Sequence, residues 1–205
     1  MIWKVTLSVV IEYRHYAPPN FQNDFLRGRE AYFWSGYYWA FYLHLLAGPP
    51  TLILGPLLIS ERFRQFAPAW HRRLGRVQAT FILLLLTPSG LCMAFYAMTG
   101  AVAAVGLGTL AIATAACVGL GWRAAMQRRF AEHRLWMWRT FLLLCSAVLL
   151  RLIGGFATVL RLDAEWFYPF STWASRLGPL LVYEVWRLLG RQEHAFPEPQ
   201  PATVR

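Results

Sequence analysis

The chain has few charged residues and almost no lysine. Only 15% of its 205 residues are charged, whereas about 25% are charged in a typical soluble domain. Lys4 is the single lysine, so the formal net charge of +10 comes from arginine. The arginines cluster between apolar runs, and no polar domain presents a basic face. The charge therefore excludes nucleic-acid binding and indicates loops on one side of a membrane.

Cysteine is also scarce, and the usual signatures of soluble catalysis are missing. Cys92, Cys117 and Cys145 each lie in an apolar run, without CxxC or zinc-ligand spacing, so we interpret them as small buried hydrophobic residues. Their odd number excludes a complete disulfide framework. The sequence has no Ser/His/Asp or Cys/His pattern, no phosphate-binding loop and no CxxCH motif, and it predicts neither an enzyme class nor a metal cluster.

Long hydrophobic runs are what the sequence has in abundance, since 57% of the residues are hydrophobic. A helix needs about 20 apolar residues to cross a bilayer. Ala111, Ala115 and Gly119 have the four-residue spacing that lets membrane helices approach closely. We predict an all-α, polytopic transmembrane helical bundle that forms one domain over residues 1–190, followed by a disordered tail at 191–205. Five clear spans are expected at residues 36–59, 77–98, 101–122, 140–160 and 173–189.

The first segment of the chain is apolar but short. Residues 1–13 lack a small-residue cleavage site, so we predict a short sixth membrane helix rather than a signal peptide, with an interfacial anchor as the alternative. Residues 14–35 are polar and lead into aromatic residues at 32–39, which suit the headgroup level.

The placement of arginine predicts the topology. The basic loops at 60–76 and 123–139 are separated by two spans and therefore lie on the same side, whereas the connections on the other side are nearly neutral. Basic loops face the cytoplasm. We expect the tail on that side as well, and residues 14–35 on the exterior.

The ionisable residues His44, Arg151, Glu184 and Arg187 lie inside the predicted spans, at a cost of about 2.5–3.5 kcal/mol each on insertion scales. From the outer ends of their runs, His44, Arg151 and Glu184 are roughly 12, 13 and 16 Å deep, at nearly one level. One interpretation is structural: Glu184 pairs with Arg151 or Arg187, and His44 bonds a carbonyl that the nearby prolines leave free. The other is an outer-half pocket for a proton, a quinone head or a small ligand.

A second group of residues is expected at the inner face. His71 and His133 each lie where a span begins, with Arg72 and Arg139 nearby. Two such histidines can ligate a b-type haem or another metal, with arginines on the haem propionates. The alternative is a pair of interfacial histidines that contact lipid headgroups.

Four short motifs combine in this sequence: His44 followed by AGP, His71 in HRRLGR, His133 and Arg139 in HRLWMWR, and Arg151 in LLRLIGG. With these motifs the chain resembles a bacterial membrane protein family, domain of unknown function 2306. The similarity covers most of residues 20–190 and implies a bacterial inner-membrane protein of several helices, related at a distance to two-haem cytochrome b-like bundles. Members have a fuller first helix than residues 1–13.

Three functions follow as hypotheses, all with the lipid bilayer as a partner. The first is a redox or electron-transfer subunit that binds b-type haem or quinone. The second is a non-enzymatic accessory or scaffold subunit of a larger membrane complex. The third is a carrier that holds a small ligand at His44, Arg151 and Glu184.

Overall fold

A computed structural model describes residues 2–23, 25–97, 100–162 and 164–193. It confirms the all-α class. Short 3-10 and π-helical turns occur at Tyr13–His15, Phe33–Tyr37 and Phe81–Leu86. The α-helices are α1 (Ile2–Glu12), α2 (Glu30–Tyr32), α3 (Tyr38–Ile59), α4 (Glu61–Phe66), α5 (Pro68–Thr80), α6 (Thr87–Phe95), α7 (Ala101–Met126), α8 (Phe130–Val159) and α9 (Phe167–Glu193).

Four continuous helical segments are long and apolar enough to cross a membrane. They are Glu30–Ile59, Pro68–Phe95, Ala101–Met126 and Phe130–Val159, and they contain 26 to 30 residues each. At the rise of an α-helix this gives roughly 39–45 Å, which exceeds a hydrocarbon core of about 30 Å. The chain is therefore a multi-pass membrane bundle whose helix ends extend into the headgroup regions.

The other two predicted spans also form helices, but these helices are either too short or too charged to count as membrane spans by the same criteria. α9 has 27 residues but carries charges along its length, and α1 has only 11. Both nevertheless pack on spanning helices, α9 on α7 and α8, and α1 on α3 and α8. Of the predicted tail at 191–205, residues 191–193 belong to α9, and residues 194–205 lie outside the described residues.

The two basic segments are mostly helical, in contrast to the loops that we expected. In the first, Ser60 Oγ accepts a hydrogen bond from the Phe63 amide at 3.4 Å and caps α4, and α5 begins directly at Pro68. In the second, residues 127–129 alone separate α7 from α8. Arginine has a high helix propensity and proline is tolerated in a first turn, so these arginines extend from helix ends.

Backbone irregularities lie in α3 and just before α6. Pro49, Pro50 and Pro56 lie inside α3, which nevertheless continues from Tyr38 to Ile59. Because proline has no amide hydrogen, the carbonyls four residues earlier have no helical donor. The π-helical turn Phe81–Leu86 precedes Pro88 in the first turn of α6. Such π turns change the direction of the following side chains and are frequent at functional sites.

Glycines bring α7 close to three neighbouring helices. A Cβ built on Gly106 would lie 2.9 Å from Thr172 Oγ1 of α9, one on Gly108 would lie 3.9 Å from the Ala94 Cβ of α6, and one on Gly121 would lie 3.1 Å from the Trp136 Cβ of α8. Gly119, which belongs to the predicted small-residue face, meets no atom within 4 Å. Close packing by small residues is therefore confirmed for α7, but mainly through other glycines.

A charged bridge joins α8 to α9 near the end of the bundle where the arginines lie. Arg139 Nε lies 2.7 Å from Glu184 Oε1, and Arg187 Nη2 lies 2.7 Å from Glu184 Oε2. The neighbouring rings of Trp138 and Tyr183 stack with centroids 6.2 Å apart. These contacts fix the register of the antiparallel pair α8 and α9.

Gly106→Leu should destabilise the protein, because its side chain would have to displace Thr172 and Trp173 of α9. We expect a loss of about 1–3 kcal/mol, as for other overpacked cores, measured as a lower thermal unfolding midpoint in detergent. Gly119→Leu is the matched control in the same helix, and it should unfold near the wild-type temperature. Equal losses in the two variants would contradict the assigned packing of α7.

Glu184→Gln should also lower the unfolding midpoint, because Arg139 and Arg187 would lose their shared carboxylate. The Arg139–Glu184 pair is only about a quarter exposed, so we expect a loss of about 1–2 kcal/mol, between the costs for exposed and fully buried pairs. Glu132→Gln removes an ion pair with Arg129 that is nearly half exposed and should cost less. A larger effect at Glu132 would contradict this role for Glu184.

Candidate functional site

A central cavity of about 810 Å³ lies between α1, α3, α6, α7, α8 and α9. This size falls within the range of about 300–1,000 Å³ that small-molecule pockets occupy. We call the two ends of the bundle the aromatic end and the basic end, after the residues that lie there. The aromatic end is where α3, α7 and α9 begin, beside Tyr32, Phe33 and Tyr37, and the basic end is where α5 and α8 begin. The polar side chains that line the cavity near the aromatic end include Glu12, Tyr13, His44, Arg151 and Tyr168.

The cavity changes from polar to apolar along the bundle axis. Leu52 lies eight residues beyond His44 on α3, or roughly 12 Å toward the basic end. Leu144 lies seven residues before Arg151 on α8, or roughly 11 Å in the same direction. The Thr114 hydroxyl in this deeper part donates to the Leu110 carbonyl of its own helix at 2.7 Å. Thr51 and Ser146 also line this part, and their hydroxyls donate to carbonyls of their own helices. The deep part of the cavity is therefore a largely apolar floor.

The hydrogen bonds of His44 determine its tautomer. Its Nδ1 lies 3.2 Å from Ser89 Oγ, and the Ser89 hydroxyl donates to the Leu85 carbonyl at 2.5 Å. Because a serine hydroxyl has a single hydrogen, His44 Nδ1–H donates to Ser89 and Nε2 is left as an acceptor. The imidazole packs against α6 at Gly90, where a Cβ would lie 3.6 Å from His44 Cε1.

Arg151 provides the positive charge of the cavity. Its Nη1 donates to the Ala147 carbonyl one turn earlier on α8, at 3.0 Å. Its charge acts on Tyr13, His44 and Tyr168, which surround it. Over the ranges that the structure describes, no carboxylate lies within ion-pair distance of Arg151. A guanidinium has several donors, so most of those on Arg151 can still bind an acceptor.

Glu184 does not share the level of His44 and Arg151. The sequence suggested a helix start at Trp173, but α9 begins at Phe167, which shifts Glu184 roughly 9 Å farther from the aromatic end. It therefore meets Arg139, which precedes Arg151 by twelve residues, or roughly 18 Å on α8. Of the two pairings expected for Glu184, the one with Arg187 is confirmed, and Arg139 takes the place of Arg151.

Sequence reasoning missed three polar residues of the cavity. Glu12 and Tyr13 end the short N-terminal apolar run, and Tyr168 lies in a segment that we took for a connection. The available signal was a carboxylate directly after an apolar run, since such a residue has to face either water or a polar pocket.

The two histidines near the basic end lie close enough for their charges to interact. His133 Nδ1 lies 2.9 Å from the Gly121 carbonyl, which leaves Nε2 available for a metal. His71 Nδ1 is buried and has no hydrogen-bond partner among the described residues. Imidazole nitrogens of this kind ligate haem iron in other proteins.

The surroundings of these histidines suit haem less well. Neither histidine lines the central cavity or a second, shallower one of about 500 Å³ beside Trp122. Arg139, expected on a propionate, is bound to Glu184, and Arg72 is exposed. Within the described ranges, no group of three or more His, Cys, Asp or Glu residues is placed to hold a metal ion.

Comparisons with known proteins place the chain in a family. No curated protein and no solved structure shows significant similarity to it. A family model described as "Predicted membrane protein (DUF2306)" matches residues 41–187. The match covers nearly all of α3 and most of α9, and it contains His44, His71, His133, Arg151 and Glu184. The chain therefore belongs to the DUF2306 family of predicted membrane proteins.

Proposed function

We propose that the protein binds a small lipophilic molecule inside the membrane and holds its polar head at Arg151 and His44. The observation that carries this proposal is a cavity of about 810 Å³ lined by an arginine that forms no ion pair among the described residues. A charge inside a bundle usually has a partner or a function. A ligand with acceptor oxygens would supply that partner.

The chemistry of the polar side chains limits which ligand head groups the cavity can bind. A guanidinium binds carboxylates, phosphates and carbonyl oxygens, and it binds carboxylates through two parallel hydrogen bonds. Tyr13 and Tyr168 add hydroxyl donors, and His44 Nε2 can accept a hydrogen bond from a hydroxyl head. A lipid acid and a quinone therefore both satisfy the site, and the apolar floor would contact the rest of either molecule.

This proposal modifies the carrier hypothesis. His44 and Arg151 keep the role that the sequence suggested, and Glu12 rather than Glu184 is the carboxylate in the cavity. The accessory-subunit hypothesis depends on exposed apolar side chains, such as Ile112 on α7 and Val182 on α9. Lipid contact accounts for such side chains equally well in a membrane protein, so no observation favours a protein partner.

Placement in the membrane is part of the same proposal. We infer one domain through residue 190, in a bacterial inner membrane, with the basic end in the cytoplasm. α9 acts as a fifth span, because it contacts α7 at Trp173, whose Nε1 donates to the Val102 carbonyl, and α8 at Glu184. The short helix α1 lies within the bilayer against α3 and α8. The tail then begins on the cytoplasmic side.

Arg151→Gln should strongly reduce the stabilisation of the protein by its ligand. We expect palmitic acid or decylubiquinone to raise the unfolding midpoint of the wild type, since a ligand at 100 times its Kd adds about 2.7 kcal/mol. Loss of a charged hydrogen bond should remove about 1.5–3 kcal/mol of binding energy. Arg134→Gln, an exposed arginine on the same helix, is the control and should keep the full shift. A wild type that neither compound stabilises would contradict the proposal.

Haem binding is the second candidate, suggested by the location of His71 and His133 near the starts of α5 and α8 at the basic end, and by the orientation of His133. It predicts a Soret band in the absorption spectrum of the purified protein. His71→Ala and His133→Ala should each remove the band, and His15→Ala, far from both, should retain it. A colourless preparation from haem-replete cells would rule out this candidate.

A further inference from the structure

The central cavity opens sideways through one turn of α8. Gly154 and Gly155 both line the cavity and are exposed. A Cβ built on either glycine meets no atom within 4 Å. Glu12 of α1 and Tyr168 of α9 also line the cavity and are exposed. The wall of the bundle is therefore interrupted between α1 and α9. We call this opening the lateral mouth.

The lateral mouth faces lipid rather than water. Gly154 and Gly155 belong to the apolar segment Phe130–Val159, which is long enough to span the membrane. The nearby side chains of Leu152, Phe156 and Val159 are all exposed, and apolar side chains on this part of a spanning helix suit contact with lipid. A molecule that passes the mouth therefore comes from the bilayer.

The cavity is polar toward the aromatic end and apolar toward the middle of the membrane, and a lipid molecule in the aromatic-end leaflet is arranged in the same way. Arg151 precedes Gly155 by four residues, so both lie on one face of α8, at the mouth. Leu143 and Leu144 lie deeper, toward the basic end, and contribute to the apolar floor. A lipid of the aromatic-end leaflet has its head toward that end and its chain toward the middle of the membrane. It can enter the cavity without turning over.

The charges at the mouth select the head group. Arg151 offers one positive charge, and a carboxylate matches a single guanidinium in both charge and geometry. Glu12 lines the same region, so a head with two negative charges would be repelled. The volume of about 810 Å³ suits one drug-sized molecule, and a two-chain phospholipid is larger than that.

We propose that the ligand is a single-chain lipid carboxylate, which enters from the aromatic-end leaflet through the lateral mouth and places its carboxylate on Arg151. This inference rests on the proposed binding function and specifies its ligand and its route.

The head group can be tested with cis-parinaric acid, whose fluorescence rises in apolar sites, and with its uncharged methyl ester. The full-length protein in nanodiscs should bind the acid roughly 10- to 100-fold more tightly than the ester, as expected for a charge-assisted hydrogen bond. Arg151→Gln should remove this preference, and Arg151→Lys, which retains the charge, should restore part of it. Equal binding of acid and ester by the wild type would overturn the carboxylate assignment.

The route can be tested by filling the mouth. Gly154→Leu and Gly155→Leu place a side chain in open space, so both variants should unfold at the wild-type temperature. They should slow the rise of tryptophan-sensitised parinarate emission several-fold in stopped-flow mixing, whereas Gly119→Leu should not. Unchanged rates in both variants would overturn the lateral route.

These outcomes separate the inference from the proposed function. Binding of decylubiquinone without binding of the acid would reject the lipid carboxylate and leave the cavity as a binding site. If the wild type bound neither the fatty acids, nor the methyl ester, nor decylubiquinone, both the inference and the proposed function would fail.

Discussion

A charge buried in a lipid-embedded bundle needs a partner inside the protein, because hydrocarbon supplies none. α8 and α9 meet this requirement at Glu184, whose two oxygens each accept from an arginine. Arg176 is only 4% exposed, and its guanidinium lies 3.6 Å from the centre of the Trp173 ring, a cation–π contact that is strong when desolvated. Arg151 differs from both, since it is exposed, borders the cavity, and its described hydrogen bond stays within α8.

The packing of α7 explains why space remains beside Arg151. Glycines draw α7 against α6, α8 and α9, and this close contact fixes those helices relative to one another. α3 lines the cavity together with α7, through His44, Gly48 and Leu52. Its prolines and the π-helical turn before α6 change backbone geometry at the cavity wall. The tightly packed side of the bundle thus supports an open interior on the other side.

The sequence predicted the helical class, the membrane location and the arginine-rich segments, because composition and run length determine these features locally. It also indicated His44 and Arg151, since ionisable residues in apolar runs are costly. It failed for Glu184, because depth was measured from an apolar boundary at Trp173, whereas α9 starts in the aromatic segment before it. Tyr13 and Tyr168 were missed for a related reason. Their place in the cavity depends on how α1 and α9 pack on α8, and no local pattern encodes that packing.

The central claim is that Arg151 and the cavity beside it hold the head and the chain of one lipophilic molecule. The most direct measurement is an experimental structure of the protein purified in native lipid nanodiscs, at a resolution that shows side chains. The account predicts elongated density in the cavity, with its polar end within hydrogen-bond distance of Arg151 and its apolar end near Leu143 and Leu144. A collapsed cavity in which Arg151 pairs with Glu12 would contradict the account.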